Sequence, residues 1–409
     1  MTVFRRIKKT LLVVGMGLIV TVVGTAEVLP SVPVSAQAVN NGAKVSFTFD
    51  DGYKTNITKA APALAAYGYT GTAYVTSSFI GKNSYMSWTD VQNLQNQFGW
   101  EIGGHSVNHL LSTTLTADQL RSEIVTNKQD LVSRGLNARS FATPFGDYNN
   151  NVLAEIARSY ESHRPFHDRA FNSYPYSDYR VQVQQVQVGV GMSTIKGYVD
   201  DAVASGRWLV LVFHNVKDSP SKNVNNYEYA TKDLRTIAAY VKSKNLPVVN
   251  VSSGIVRGTN LLGNGSFVSG IAGSGWTTDS AAITADSANM GSFPESQNSV
   301  KLTSHATQSS HLFSPIVNID ASKQYVFKTY LNVTAIASNE IGYYIDEYDT
   351  AGNWVSGQYK LGERSVYVSK RNIAYVPTST AVTSVRFQVI VPPTSGITAY
   401  LDTVELIQQ

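Results

Sequence analysis

Three short stretches bring together side chains that can move protons or hold a cation. Asp50-Asp51-Gly52 sets two carboxylates side by side, and His105-Ser106-Val107-Asn108-His109 sets two imidazoles four residues apart. His214 stands at the end of the apolar run Leu209–Phe213. Each also has a plain structural reading. Asp-Asp-Gly is a common turn, because Asp tolerates and Gly favours unusual dihedrals. Histidines are frequent on surfaces and at strand ends. Together they mean more. Two imidazoles and one carboxylate can grip a divalent ion, which leaves a second carboxylate as base and a separate histidine as acid, expected on opposite sides. Those are the parts for hydrolysis by metal-activated water.

Such residues need elements that make them converge. From Ala43 to about Val256, apolar β runs alternate with helical stretches. The β runs are Val45–Phe49, Gly71–Thr76, Trp100–Gly103, Ser140–Ala142, Leu209–Phe213 and Leu246–Val251. Between them, Thr116–Ser133, Asn150–Tyr160, Ser193–Ala204 and Glu228–Ser243 carry apolar residues three and four apart. Strand–helix alternation predicts a parallel α/β sheet or barrel. In such folds the functional groups project from the C-terminal ends of strands. The Asp pair, the His pair, Thr143-Pro144-Phe145-Gly146 and His214 all follow β runs in this way.

After Arg257-Gly258-Thr259 the rhythm changes. Val385, Phe387, Val389 and Val391 alternate with polar residues, as do Phe327, Thr329, Leu331 and Val333. This is the pattern of half-buried strands, and it predicts an antiparallel β-sandwich. At the other end, Arg5, Arg6, Lys8 and Lys9 precede an apolar stretch from Leu11 to Val23, with small residues around Ala36 and Ala38. Residues 1–38 are therefore expected to be a signal peptide cleaved after Ala36 or Ala38, the alternative being an uncleaved anchor. The expected divisions are 1–38, 39–258 and 259–409, with secretion and no membrane span after cleavage.

Composition narrows the chemistry further. The chain of 409 residues has no cysteine, which excludes disulfides, thiol catalysis and Cys-ligated metals. Its formal charge is +4. The first 38 residues hold four cations and one anion, so the remainder carries 29 cations against 28 anions, or +1. That balance gives no reason to expect nucleic acid as a partner.

The order Thr48-Phe49-Asp50-Asp51-Gly52, His105 to His109, Thr143-Pro144-Phe145-Gly146 and Leu211-Val212-Phe213-His214 resembles the polysaccharide deacetylase family (NodB-homology domain, carbohydrate esterase family 4) over residues 43–256. The resemblance implies a distorted (β/α)7 barrel. It implies a divalent metal, zinc or alternatively cobalt or manganese, on Asp51, His105 and His109. Asp50 would be the general base and His214 the general acid. Leu211 would line the acetyl-methyl pocket, and the Phe145 backbone N–H would help hold the oxyanion. One departure stands out: the family usually carries an arginine two residues before the proline, bracing the base, and here that position is Ala142. Asp178 is the candidate for the acidic residue that tunes the acid histidine. His163 and His167 receive no role.

The C-terminal part, from Asn260-Leu261-Leu262-Gly263 to Tyr400-Leu401-Asp402, resembles jelly-roll carbohydrate-binding modules. Trp276 and Trp354, with Tyr343, Tyr344, Tyr348 and Tyr359, are the candidate glycan platforms, although aromatic residues in such strands also serve as core. The expected function is a secreted deacetylase acting on an acetylated polysaccharide: poly-N-acetylglucosamine, chitin or peptidoglycan. The alternatives are O-deacetylation of acetylxylan and a non-catalytic glycan-binding protein on the same scaffold.

Overall fold

The computed structural model describes residues 42–408 apart from 175, 224–226, 256–258, 264, 268, 272–274 and 287–297. The expected signal peptide and the boundary at Gly258 lie outside the described residues.

The first half is built on a seven-stranded sheet in the order β5-β4-β3-β2-β1-β7-β6. Its strands are β1 (Lys44–Phe49), β2 (Thr72–Val75), β3 (Glu101–Gly104), β4 (Ser140–Ala142), β5 (Ser162–Arg164), β6 (Gln184–Gln185) and β7 (Trp208–Phe213). Every pairing is parallel. All six residues of β1 and of β7 are buried, as expected of central strands covered on both faces. The curved sheet has β5 and β6 as its edges, a half-barrel consistent with the expected (β/α) architecture.

Helices α1 (Ala61–Ala65), α2 (Trp88–Asn96), α3 (Ala117–Val132), α4 (Asn150–Ala157), α5 (Met192–Ser205) and α6 (Thr231–Ser243) cover the strands. Their limits have local causes. Thr116 and Gln119 form a capping box at the start of α3, as do Ser87 and Asp90 for α2. Gly206, at φ 64°, ends α5. Helix α6 buries Leu234, Ile237, Ala238 and Val241, one stripe at helical spacing. A short parallel pair, β8 (Asn215–Lys217) and β9 (Glu228–Ala230), sits just beyond β7. The expected helix over Glu228–Ser243 thus gives its first three residues to β9.

The second half is all antiparallel. One sheet runs β10-β13-β19-β16-β17, with β14 also on β19. It comprises β10 (Thr277–Thr278), β13 (Ser310–Phe313), β14 (Val317–Asn318), β16 (Ile341–Tyr348), β17 (Trp354–Glu363) and β19 (Ser384–Val391). The other runs β11-β12-β20-β15-β18, from β11 (Ile283–Asp286), β12 (Ser299–Thr303), β15 (Tyr325–Ala335), β18 (Tyr367–Tyr375) and β20 (Thr398–Gln408). Phe327, Leu331, Tyr375 and Leu401 of one sheet pack with Tyr343, Phe387 and Val389 of the other in a single core. This is a sandwich.

The five-stranded sheet is buried on its outer face as well. Residues 325–331 of β15 are buried without a break, not alternately. Val326 of β15 and Ile407 of β20 join Tyr176, Val181, Val183 and Trp208 in one cluster. Tyr330 and Val368 belong to the main barrel core. The two halves share apolar cores, and the described residues form one compact unit.

Candidate active site

At the end of β1 the backbone turns into the left-handed region at Asp51 (φ 73°) and Gly52 (φ 82°). That turn sends the neighbouring carboxylates different ways. Asp51 Oδ1 faces His105 Nε2 at 3.4 Å and His109 Nε2 at 3.2 Å. Asp50 Oδ2 faces His214 Nε2 at 3.8 Å. The two histidines after β3 are not on a helix. Ser106 (φ 62°) and His109 (φ 58°) fold the segment back, and the His109 N–H donates to Ser106 Oγ at 3.0 Å. Asn108 ties the turn to Glu123 of α3 through its N–H and Nδ2, at 2.8 and 2.7 Å. After β4, Phe145 is left-handed too (φ 59°), and its ring packs 4.7 Å from that of His109. Gly146 follows at φ 74°, where a Cβ would stand 2.3 Å from that of Phe166. Only glycine fits there.

These turns enclose a cavity of about 190 Å³ lined by Asp50, Asp51, His105, His109, Thr143, Phe145, Gly146, Phe166, His167, His214 and Tyr227. Asp51, His109, Phe145 and Tyr227 (φ 51°) all carry left-handed backbone. Strain of this kind is tolerated where the surrounding structure fixes it, and it clusters at functional sites.

A divalent ion fits the Asp51 corner. One ligand atom from each of Asp51, His105 and His109 lies within 4.8 Å of the others. His105 Nδ1 is 2.7 Å from the Ala142 carbonyl and donates there, which leaves Nε2 facing Asp51. Asp51 Oδ1 is buried and no hydrogen bond reaches it. A buried carboxylate oxygen faced by two imidazole nitrogens is a place that a cation would fill. The backbone carbonyl behind His105 is the usual outer partner of a metal-ligating imidazole. Burial pushes the Asp51 carboxyl up, yet the facing His105 and His109 side chains more than offset this and hold it below the usual carboxylate range. Burial lowers the His214 imidazole against the pull of the Asp50 and Asp51 carboxylates.

Asp50 is braced after all. Arg164 Nη2 donates to Asp50 Oδ1 at 2.5 Å, with the guanidinium fully buried and stacked 4.7 Å from the Tyr74 ring. Arg164 is the register partner of Ala142 across the β4–β5 ladder. The arginine is one strand over, on the same rung. Nothing in the sequence pattern marks it, because Ser162-His163-Arg164 has no apolar residue to announce a strand.

Six of the expected residues thus converge: Asp50, Asp51, His105, His109, Phe145 and His214. Asp50 Oδ2 and His214 Nε2 lie 3.8 Å apart. Leu211 is fully buried in the barrel core and is not among the cavity-lining residues. The apolar lining beside His214 is Phe166 and Tyr227, whose rings lie 5.4 and 4.9 Å from the imidazole. His167 lines the cavity, and His163 lies behind it, with Nε2 accepting from Thr143 Oγ1 at 3.0 Å. Asp178 is not among the cavity-lining residues: its side chain is buried against Asn372, Lys328 and Lys370 of the sandwich. Trp276 cannot be a platform, since it is 2% exposed and packs on Phe267 in the sandwich core. Tyr343 is likewise core and Tyr348 is buried, whereas Trp354 and Tyr359 are exposed on β17.

Residues 38–162 match the family model described as Polysaccharide deacetylase. Two Bacillus subtilis (strain 168) proteins are similar to part of the chain. YxkH is 31% identical over 111 residues, covering 27% of this chain and 39% of its own length. The peptidoglycan-N-acetylmuramic acid deacetylase PdaA is 32% identical over 124 residues, covering 28% and 43%. The chain spans about two fifths of the length of these curated relatives. Among solved structures, the family 4 carbohydrate esterase from Streptomyces lividans in complex with acetate aligns over 51% of this chain and 92% of its own, at 18% identity and a TM-score of 0.34. The family match and the two relatives support a polysaccharide deacetylase domain in the first half of the chain.

Proposed function

We propose that this chain is an exported hydrolase that removes N-acetyl groups from an amino-sugar polymer, with a divalent metal as cofactor. The observation that carries the reading is the single cavity in which the Asp51–His105–His109 cluster adjoins the Arg164-held Asp50 and His214. The name of PdaA, which specifies an N-acetyl sugar of peptidoglycan, supports an N-acetylated substrate.

Asp51, His105 and His109 would hold the ion, zinc by the chemistry of one carboxylate and two imidazoles, with cobalt or manganese as substitutes. Such an ion supplies Lewis acidity, which polarises the amide carbonyl and eases ionisation of water. Arg164 engages Oδ1 of Asp50, so Oδ2 remains to take the proton of the attacking water. His214, 3.8 Å from that oxygen, is placed to pass a proton to the departing amine nitrogen. Phe166 and Tyr227, packed on the His214 ring, are the apolar lining available to an acetyl methyl. The Phe145 backbone N–H is the candidate partner of the carbonyl oxygen as it gains charge. In the sandwich, Trp354 and Tyr359 are the aromatic faces available to a glycan.

The scaffold-only reading drew its support from Ala142, and Arg164 removes that support. The test is acetate release from N-acetylglucosamine oligomers and from acetylated xylan, after chelation and after return of zinc, cobalt or manganese. Release from the oligomers that depends on metal is expected. Release from xylan alone would move the reading to O-deacetylation, and no release from either would end it. His105→Ala should lose bound metal, and equal metal in both proteins would remove the ligand assignment.

A further inference from the structure

We propose that Asn372, Lys328 and Lys370 of the sandwich are positioning residues for the catalytic base of the barrel, acting through Asp178 and β5; the word catalytic here rests on the deacetylase reading above. Strand β5 is three residues long and is held on one side by β4 alone. On its other side lies the irregular segment 176–181. The His163 N–H donates to the Asp178 carbonyl at 2.8 Å, the Val181 N–H donates to the His163 carbonyl at 3.1 Å, and His163 Nδ1 donates to the Tyr179 carbonyl at 2.9 Å. That segment stands in for an eighth strand, and the next residue along β5 is Arg164.

The segment is in turn gripped by the sandwich. Asn372 Nδ2 donates to the Tyr176 carbonyl at 2.5 Å and to Asp178 Oδ1 at 2.6 Å. Lys328 and Lys370 reach Asp178 Oδ2 at 3.7 and 3.6 Å. The Asp178 side chain is 1% exposed, so these contacts are made out of water, where they are strong and geometrically demanding. Lys328 lies between Val326 and Tyr330 on the face that β15 turns to the barrel, and Lys370 and Asn372 follow Val368 at two-residue steps along β18. Besides its stacking on the Tyr74 ring, the guanidinium of Arg164 has few polar partners other than Asp50. Nη1 donates to the Pro165 carbonyl at 3.2 Å, and Nε is buried without a partner. Its grip on Asp50 therefore depends on where β5 sits, and β5 sits where the clamp on Asp178 holds its neighbour.

The test uses the full chain, with Asn372→Ala and, separately, Lys370→Met, a side chain at the edge of the cluster. Two readouts are needed. In ¹⁵N-arginine-labelled protein, the Arg164 guanidinium resonance is identified by its loss in Arg164→Lys. Both sandwich variants should shift or broaden it. Steady-state acetate release from a short soluble N-acetylglucosamine oligomer should show kcat reduced by about 10-fold or more with KM changed by less than about twofold, the pattern of a lost transition-state interaction. An Arg164 resonance that stays in place in folded variants would overturn the proposal, as would an unchanged kcat. If Asn372→Ala does not fold, Lys370→Met decides. Wild-type protein that releases no acetate would sink the deacetylase reading, while the arginine spectrum would still decide the clamp.

Discussion

Asp50 keeps an arginine although the usual position holds alanine, and this can be tested by moving the charge. Arg164→Ala leaves a buried carboxylate unpaired, a change that typically costs about 3–5 kcal/mol. A base without this partner should lose part of the about 10²–10⁴-fold that a general acid or base contributes, with metal content unchanged. The double variant Arg164→Ala with Ala142→Arg should recover part of both losses, because the two positions share a rung. Denaturant midpoints and acetate release would check this, and a double variant no better than the single would rule out the exchange. His163 makes a separate prediction. Burial, with Arg164 and Arg180 nearby, lowers its pKa from 6.5 to about 3 in the folded state. Between those values the unfolded chain binds the extra proton. The contribution to stability is complete above pH 6.5 and is lost as pH falls toward 3, at up to about 1.4 kcal/mol per pH unit. His163→Gln should therefore flatten stability against pH between 6.5 and 4, measured by denaturant unfolding. An unchanged slope would mean that other groups dominate.

At the scale of elements, what was legible followed burial. The apolar runs of β1, β2, β4 and β7 announced themselves, and the stripes of α3 and α6 did so at helical spacing. Strands β5 (Ser-His-Arg) and β6 (Gln-Gln) did not. They are sheet edges, made by hydrogen bonding to a neighbour and not by apolar side chains, so no periodicity marks them. Arg164 was missed for that reason. Leu246–Val251 misled in the opposite sense: it reads as a strand but makes only the bridge Val45–Val248, with Pro247 inside it and a helical turn at Val251–Gly254. The metal corner was legible because a ligand set is a matter of residue type and spacing. The wall beside His214 was not, because Phe166 and Tyr227 come from irregular segments. The turn at Gly146 offers a test. Gly146→Ala would drive a Cβ into Phe166 at a left-handed position. Strain and overpacking of this sort cost about 1–3 kcal/mol each. A lower melting temperature and weaker turnover are expected, and a variant with both unchanged would show that the Phe166 wall yields freely.

For the whole molecule, the alternation seen in β19 is that of a sheet with one dry face, and β15 breaks the rule. Its outward residues Val326, Lys328 and Tyr330 are as buried as its inward ones, because the barrel covers them. A chain ending near residue 255 would lack Val326 and Ile407, which complete the apolar cluster around Tyr176, Val181 and Trp208. Such a truncation is expected to aggregate or to bind hydrophobic dyes, whereas the intact protein should melt in one calorimetric transition because its cores are shared. Two resolved transitions would contradict this.

The double burial of β15 also sets an order of events during synthesis. The chain emerges from its N-terminus, and domains generally begin to fold as they appear. The barrel is complete in sequence by Ile255, but its covering strands span residues 325–408. For all the time needed to make the intervening residues, the 176–181 segment lacks its sandwich contacts and Asp178 lacks Lys328, Lys370 and Asn372. The nascent barrel is thus a sticky intermediate by construction. Its final shape, and with it the grip of Arg164 on Asp50, waits for the last strands to arrive.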